Sequence, residues 1–238
     1  MDLLKRFRKR LIVLFIICVV AGVGVMKKEA ATVPVSATVL NLQTVVIDPG
    51  HGGFDGGAGA ADGTLEKDIN LDIALKVRDH LALAGFNTVM TRTEDTGTED
   101  NSENSISSRK KSDLKNRLSL MENDGNTVYV SIHLNKFTTS AASGTQVFYT
   151  PNFSEAKLLG ECIQAEVVKY LQPENKRVIK RGNDSTYLLK NATVPAVIVE
   201  CGFLSNGGDL QKLKCEDYRK SLAFCISAGV MKFYKTEQ

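Results

Sequence analysis

The 238-residue chain carries little charge where a nucleic-acid binder would need it. Its formal charge of +3 comes from the first 29 residues, where seven Lys and Arg face two acids; beyond them 23 bases face 25 acids. Neutralising phosphates takes a clustered basic surplus, so nucleic acid is excluded as a partner. Cysteine is sparse, at five residues with no C-x-x-C pair, and a body of this size needs no disulfide framework. Cys162, Cys201, Cys215 and Cys225 are expected to be small core residues, with a Cys215–Cys225 pairing left open. No G-x-G-x-x-G frame supports a phosphate cradle, and no internal repeat supports a solenoid.

Nor does any apolar run reach the roughly 20 residues of a comfortable membrane span. The longest, Leu11 to Met26, holds Cys18 and follows the basic cluster KRFRKR, the order of a signal peptide's n- and h-regions. Residues 1–28 therefore read as a signal peptide or N-terminal membrane anchor. A small-residue cleavage site ends at Ala37, yet Lys27, Lys28 and Glu29 flank the apolar run before it, so export is expected and cleavage stays open. Residues 29–42 read as a linker and 43–236 as a single catalytic domain, long enough at 43% hydrophobic content for one core.

Within that body strand-like and helix-like segments alternate. Strands are expected at Thr44–Asp48, Asn87–Thr91, Thr127–Ile132, Thr145–Tyr149, Thr186–Leu189 and Ala196–Glu200, with helices at about 65–84, 108–122, 154–171 and 217–234. This alternation predicts one α/β domain, a twisted and mostly parallel sheet of about six strands with helices on both faces. The polar stretch Thr93–Ser105 is expected to be a solvated loop.

The strand TVVID runs into PGHGGFDGGAGAADG, which puts His51 in a glycine-rich loop just past a strand end. Thr64 is the expected N-cap of the next helix, with Glu66 in its first turn. TVYVSI delivers His133 one residue after its end, and AVIVE delivers Glu200 at its last position. If these strands are parallel neighbours, their carboxyl ends share the sheet edge where α/β proteins bind ligands. Two imidazoles and a carboxylate then form a three-ligand zinc set with the fourth position open, and Glu200 is left to take a proton from water attacking a carbonyl.

Competing readings apply to each residue. Glu66 could equally be a helix N-terminal charge favoured by the dipole. Cys201, beside Glu200, could be a nucleophile, although packing suits a cysteine at a strand end better. His80 reads as structural, in a helix beside Val77 and Ala84.

The series VVIDPGHGGFDGGA, EKD at Glu66–Asp68, MTR at Met90–Arg92, SIHLN at Ser131–Asn135 and VECGFLSN at Val199–Asn206 resembles the N-acetylmuramoyl-L-alanine amidase family, amidase type 3, over nearly the whole body. The resemblance implies a zinc-exopeptidase-like fold. It also implies zinc on His51, Glu66 and His133, Glu200 as the catalytic glutamate, and Leu134 and Asn135 at the substrate's side of the metal. Leu134 stands where the family more often has alanine. The implied reaction cleaves the amide between muramic acid and the L-alanine of a peptidoglycan stem peptide, in the cell wall or between the spore membranes. The compact build, the apolar N-terminus and RKKSDLKNR resemble the spore-cortex, germination-specific CwlD type, whose product leads to muramic-δ-lactam. Thr93–Ser105 has no amphipathic pattern that could plug a cleft, so an outside protein partner controlling zinc occupancy is the expected regulator. A zinc exopeptidase and a non-catalytic wall-binding protein are the rival functions; the second requires loss of the base.

Overall fold

The computed structural model describes residues 43–100, 105–121, 125–184 and 186–236. The expected signal peptide or anchor, the linker and Cys18 lie outside them. The chain runs through β1 (Thr44–Pro49), α1 (Glu66–Leu83), β2 (Asn87–Met90), α2 (Ile106–Ser119), β3 (Thr127–Asn135), β4 (Gln146–Tyr149), α3 (Ser154–Tyr170), β5 (Lys180–Arg181), α4 (Tyr187–Asn191), β6 (Ala196–Phe203), α5 (Gly207–Lys214) and α6 (Glu216–Thr236). The six strands form one sheet in the order β2-β1-β3-β6-β4-β5, parallel except where β4 meets β6.

Apolar runs such as TVVID and AVIVE follow from burial of the sheet on both faces. On one face Val45, Ile47, Val130, Ile132, Val197 and Val199 pack under α1, α3 and α6. On the other, Val46, Tyr129 and Ile198 meet Leu188 and Leu189 of α4 and the half-buried Leu114 and Leu118 of α2. β1, β3 and β6 are parallel neighbours, so their carboxyl ends share one edge, which meets the condition on which the sequence reading rested.

Some expectations are corrected. Thr186–Leu189 is not a strand but leads into helix α4. Leu188 and Leu189 are both buried in the same cluster, which adjacent helical residues can do and adjacent strand residues cannot. The sheet edge is filled instead by Lys180–Arg181, two exposed charged residues without the alternation that marks a strand. α5 begins on Gly207-Gly208, poor helix formers, and is started by Asn206, whose Oδ1 accepts from the Asp209 amide at 3.0 Å. Strands β3 and β6 also run past their expected ends, to Asn135 and Phe203. All four described cysteines are free, so Cys215 and Cys225 do not pair; Cys162, Cys201 and Cys225 are buried as expected, whereas Cys215 is exposed and not a core residue.

Where α6 crosses α3, a Cβ on Gly229 would fall 2.4 Å from the Ile163 Cα. Glycine to alanine in an open helix gains about 1 kcal/mol. Here Gly229→Ala is expected instead to cost about 1–3 kcal/mol, through overpacking against backbone. Urea denaturation measures this, and a stabilised variant would show that the two helices can separate freely.

Candidate metal centre and base

Donor atoms from His51, Glu66 and His133 lie within 4.8 Å of one another. Glu66 Oε1 is the hub: His133 Nδ1 lies 3.1 Å from it and His51 Nε2 3.3 Å. Thr64 does not cap α1 as the sequence suggested. Leu65 is the N-cap and makes no side-chain cap bond, while the Thr64 amide donates to Asp62 Oδ1 at 3.1 Å. The first amides of α1 are taken by loop carbonyls, Glu66 N by Ala58 O at 2.9 Å and Lys67 N by Gly56 O at 3.3 Å. The Glu66 carboxylate is thereby free of capping duty, and it accepts from the Ala58 and Leu134 amides at 2.8 and 2.9 Å. The charge at the helix N-terminus and the carboxylate that faces the two imidazoles are thus one group.

The glycines explain how the loop closes around these donors. A Cβ at Gly50 would meet the His133 ring at 2.3 Å, and one at Gly57 would meet Glu66 Oε2 and His51 Cδ2 at 2.7 Å. His51 itself has φ +64°, the single positive value at a non-glycine among the described residues. Such strain persists only where the surroundings enforce it. Two buried arginines do so here. Arg92 donates to the carbonyls of Pro49 (3.0 Å), Gly50 (3.1 Å) and Lys67 (2.9 Å). Arg117 donates to Pro49 O at 2.9 Å and His51 O at 2.7 Å, and pairs with Asp48 and, at 2.7 Å, with Asp113. Asn70 adds an amide to Gly50 O at 3.2 Å. Asp55 fixes His51 by accepting at Nδ1, 2.9 Å away, which turns Nε2 toward Glu66.

Electrostatics sort the carboxylates. Burial alone would raise Glu66, but hydrogen bonds and charge from His133 and His51 outweigh it and hold the group well below the carboxylate range. Burial lowers His51, and the bonds to Asp55 and Glu66 reverse this and carry it to about 9. A cation is thus favoured at this point, a proton or a metal ion. Glu200 is the register partner of His133 on the adjacent strand. Burial, opposed by His133 and reinforced by Glu66, lifts its pKa to about 7, and its Oε2 is a buried oxygen with no hydrogen-bond partner. Cys201 is fully buried and its thiol is pushed far up by desolvation, which suits packing and not nucleophilic attack.

A cleft of about 170 Å³ opens beside the two histidines, walled by Asp55, Lys110, Leu114 and Leu188. The Leu134 side chain lies in the core, so this residue touches the site through its amide alone; Asn135 is half-buried at the end of β3. His80 stands apart, edge-on to Phe224 at 5.8 Å. Arg92, Arg117, Asp55 and Asn70 were assigned no role from sequence. Arg92 and Asp55 do lie inside the MTR and GGFDGG motifs, and Arg117 closes RKKSDLKNR.

The donor set fits a divalent ion that accepts nitrogen and oxygen ligands, with a carboxylate left over for proton transfer. A family model described as N-acetylmuramoyl-L-alanine amidase matches residues 45–232. The germination-specific N-acetylmuramoyl-L-alanine amidase of Bacillus subtilis is 35% identical over 195 residues, 82% of this chain and 81% of that one. The LytC amidase of the same organism is 31% identical over 195 residues, 81% of this chain and 36% of that one. Among solved structures, the CwlD amidase of Clostridioides difficile in complex with the GerS lipoprotein is similar at 37% identity and TM-score 0.78, over 82% of this chain and 99% of that one.

The Arg117–Asp48 pair makes a test of the loop's anchorage. Burial raises Asp48, while Arg117, Ser131 and Thr91 pull it well below its ordinary range. The pair's contribution is therefore present above about pH 4 and is lost as pH falls through the depressed value. Arg117→Met strands a buried carboxylate and is expected to cost about 3–5 kcal/mol at pH 7. Burial then dominates Asp48 in the variant and lifts it above its ordinary range, so it protonates as pH falls from 7 and the gap to the parent chain should shrink between pH 7 and pH 3.5. Denaturation of metal-free protein at pH 7 and pH 3.5 checks this; a gap independent of pH would contradict it.

Proposed function

The chain belongs to the N-acetylmuramoyl-L-alanine amidase family and is a peptidoglycan amidase, and on that footing we propose that it uses zinc and acts during spore-cortex maturation, as a step toward muramic-δ-lactam. The bond cut is the amide between the lactyl group of muramic acid and the L-alanine that begins the stem peptide. The single observation that carries the reading is Glu200, a buried carboxylate with an unpartnered oxygen, raised to about 7 beside the His51–Glu66–His133 cluster. Zinc held by those three residues would supply Lewis-acid polarisation of the carbonyl.

The chain's own groups do the rest. Glu66 stays ionised because two amides and two imidazoles face it. Asp55 fixes the tautomer of His51, so that one nitrogen remains for the metal. Glu200, near neutrality in pKa, accepts a proton from the attacking water and returns it to the departing amine. Asn135, next but one to His133 on β3, is the proposed substrate contact, with Leu134 acting through its amide. The domain is 43–236, carried on an exported N-terminal segment that is a signal peptide or a membrane anchor, and the site of action is the cell wall or the space between the spore membranes. Among the described residues no helix is long and apolar enough to cross a membrane.

A protein partner is a further part of the reading. The Clostridioides difficile relative was solved with a lipoprotein, and here the metal-binding loop is strained at His51. A partner that adds its contacts to those already holding this strained loop would raise zinc occupancy. Full zinc content and full turnover of the purified chain alone would remove the need for one. A zinc exopeptidase would release amino acids from free peptides, whereas the amidase releases intact stem peptides with an L-alanine amino terminus, and mass spectrometry of digested peptidoglycan separates the two.

Glu200→Ala is expected to keep zinc and lose about three or more powers of ten in turnover. His133→Ala should lose metal and activity together. Metal analysis alongside amine release reads both, and near-normal turnover of the Glu200 variant would show the base to be misassigned.

A further inference from the structure

The site gives the scissile bond a direction. Its metal-binding side chains come from the β1 loop, α1 and β3, while the base stands on β6, the next strand over. A base that hands its proton to the departing nitrogen must face the amine half of the substrate. The acyl half therefore lies toward β1 and β3, and the departing peptide toward β4 and β5.

The surface on that side is basic. Lys176, Arg177, Lys180 and Arg181 fall within six residues of sequence. None of them pairs with a carboxylate among the described residues, whereas Lys67, Lys76, Lys214 and Lys232 each do. Arg177 is tethered both to the base-bearing strand β6 and to its neighbour β4. Its Nη1 donates to Gln146 Oε1 at 3.0 Å, and Gln146 is the cross-strand partner of Glu200. Its guanidinium also lies 4.6 Å over the ring of Phe203, the last residue of β6. Lys180 pairs in register with Phe148, two residues beyond Gln146, so it stands on the sheet face that carries Glu200. Two strand spacings and two residues along the strand separate Lys180 from Glu200, roughly 12 Å between backbones. Two residues of extended peptide cover about 7 Å of that, and the lysine side chain reaches across the remainder.

Charge at an edge strand guards against unwanted pairing, which would account for Lys180 and Arg181. It does not account for an arginine bonded to the base's own neighbour. We propose that Arg177 and Lys180 form a carboxylate subsite for the departing peptide, one that reads an acidic residue following the L-alanine. The proposal rests on the amidase reading above.

The test uses the zinc-loaded full chain and two disaccharide substrates whose second stem residue has its γ-carboxyl capped as a methylamide, one carrying L-alanyl-D-glutamate with a free α-carboxylate and one carrying L-alanyl-D-isoglutamine with none. On the acid, Arg177→Gln and Lys180→Gln should each raise KM about tenfold and leave kcat within about twofold, equivalent to about 1.4 kcal/mol of binding. On the amide they should change nothing. Arg177→Lys should recover part of the loss, which a packing defect would not allow. Equal effects on both substrates, or no effect on the acid, would overturn the subsite. If the parent chain with bound zinc cleaves neither substrate, the amidase reading fails and takes the subsite with it, a result distinct from loss of discrimination between working substrates.

Discussion

A buried guanidinium holds the active edge of this domain in place. Arg117, on α2, is 2% exposed, yet its donors meet the Asp48 and Asp113 carboxylates and the carbonyls of Pro49 and His51. An arginine can do this because its planar fork serves several acceptors at fixed angles, and because it stays charged when buried beside carboxylates. Without it, the end of β1 would leave a carboxylate and two carbonyls without this partner, and nothing on that side would keep His51 in its left-handed conformation. Arg92 performs the matching task from the segment after β2. The loop that carries His51 is thus clamped from two directions.

The same environment separates carboxylates of one chemical type into different tasks. Asp48 and Asp55 are held low by a cation or imidazole at hydrogen-bond distance. Glu66 is held low by two imidazoles and backbone amides, which suits a metal-binding group. Glu200 is one strand away, and desolvation with no direct partner for one oxygen leaves it near 7, where proton transfer in both directions is easiest. What distinguishes Glu66 from Glu200 is how many donors each group faces.

The residues differ in how openly the sequence announces them. His51, His133 and Glu200 are legible because each sits near the end of a run of strand-forming residues, and parallel strands bring such ends to one edge. Glu66 is not, because its first-turn position fits a dipole charge as well as a ligand; the resemblance to the amidase motif series assigned it, and the structure shows that loop carbonyls relieve it of capping. Arg117 sits in an unremarkable basic helix, where nothing marks it as buried. Leu188 and Leu189 read as strand because five residues of helix are too few to show a period. β5 was missed because two exposed cations carry no pattern at all.

By itself the sequence determined the alternation of strand and helix, the parallel core strands, the motif series and hence the family, and it singled out two histidines and a glutamate as candidates at one sheet edge. These rest on local chemistry: apolar runs, glycines where the chain must bend, and polar residues placed at strand ends. Only the tertiary structure decided which arginines clamp the loop, that Leu134 meets Glu66 through its amide and not its side chain, and that cations without a carboxylate partner among the described residues follow β4, next to the strand of Glu200. Such facts depend on contacts between residues as much as 69 positions apart, such as Arg117 and Asp48. A linear pattern has no period that could record them.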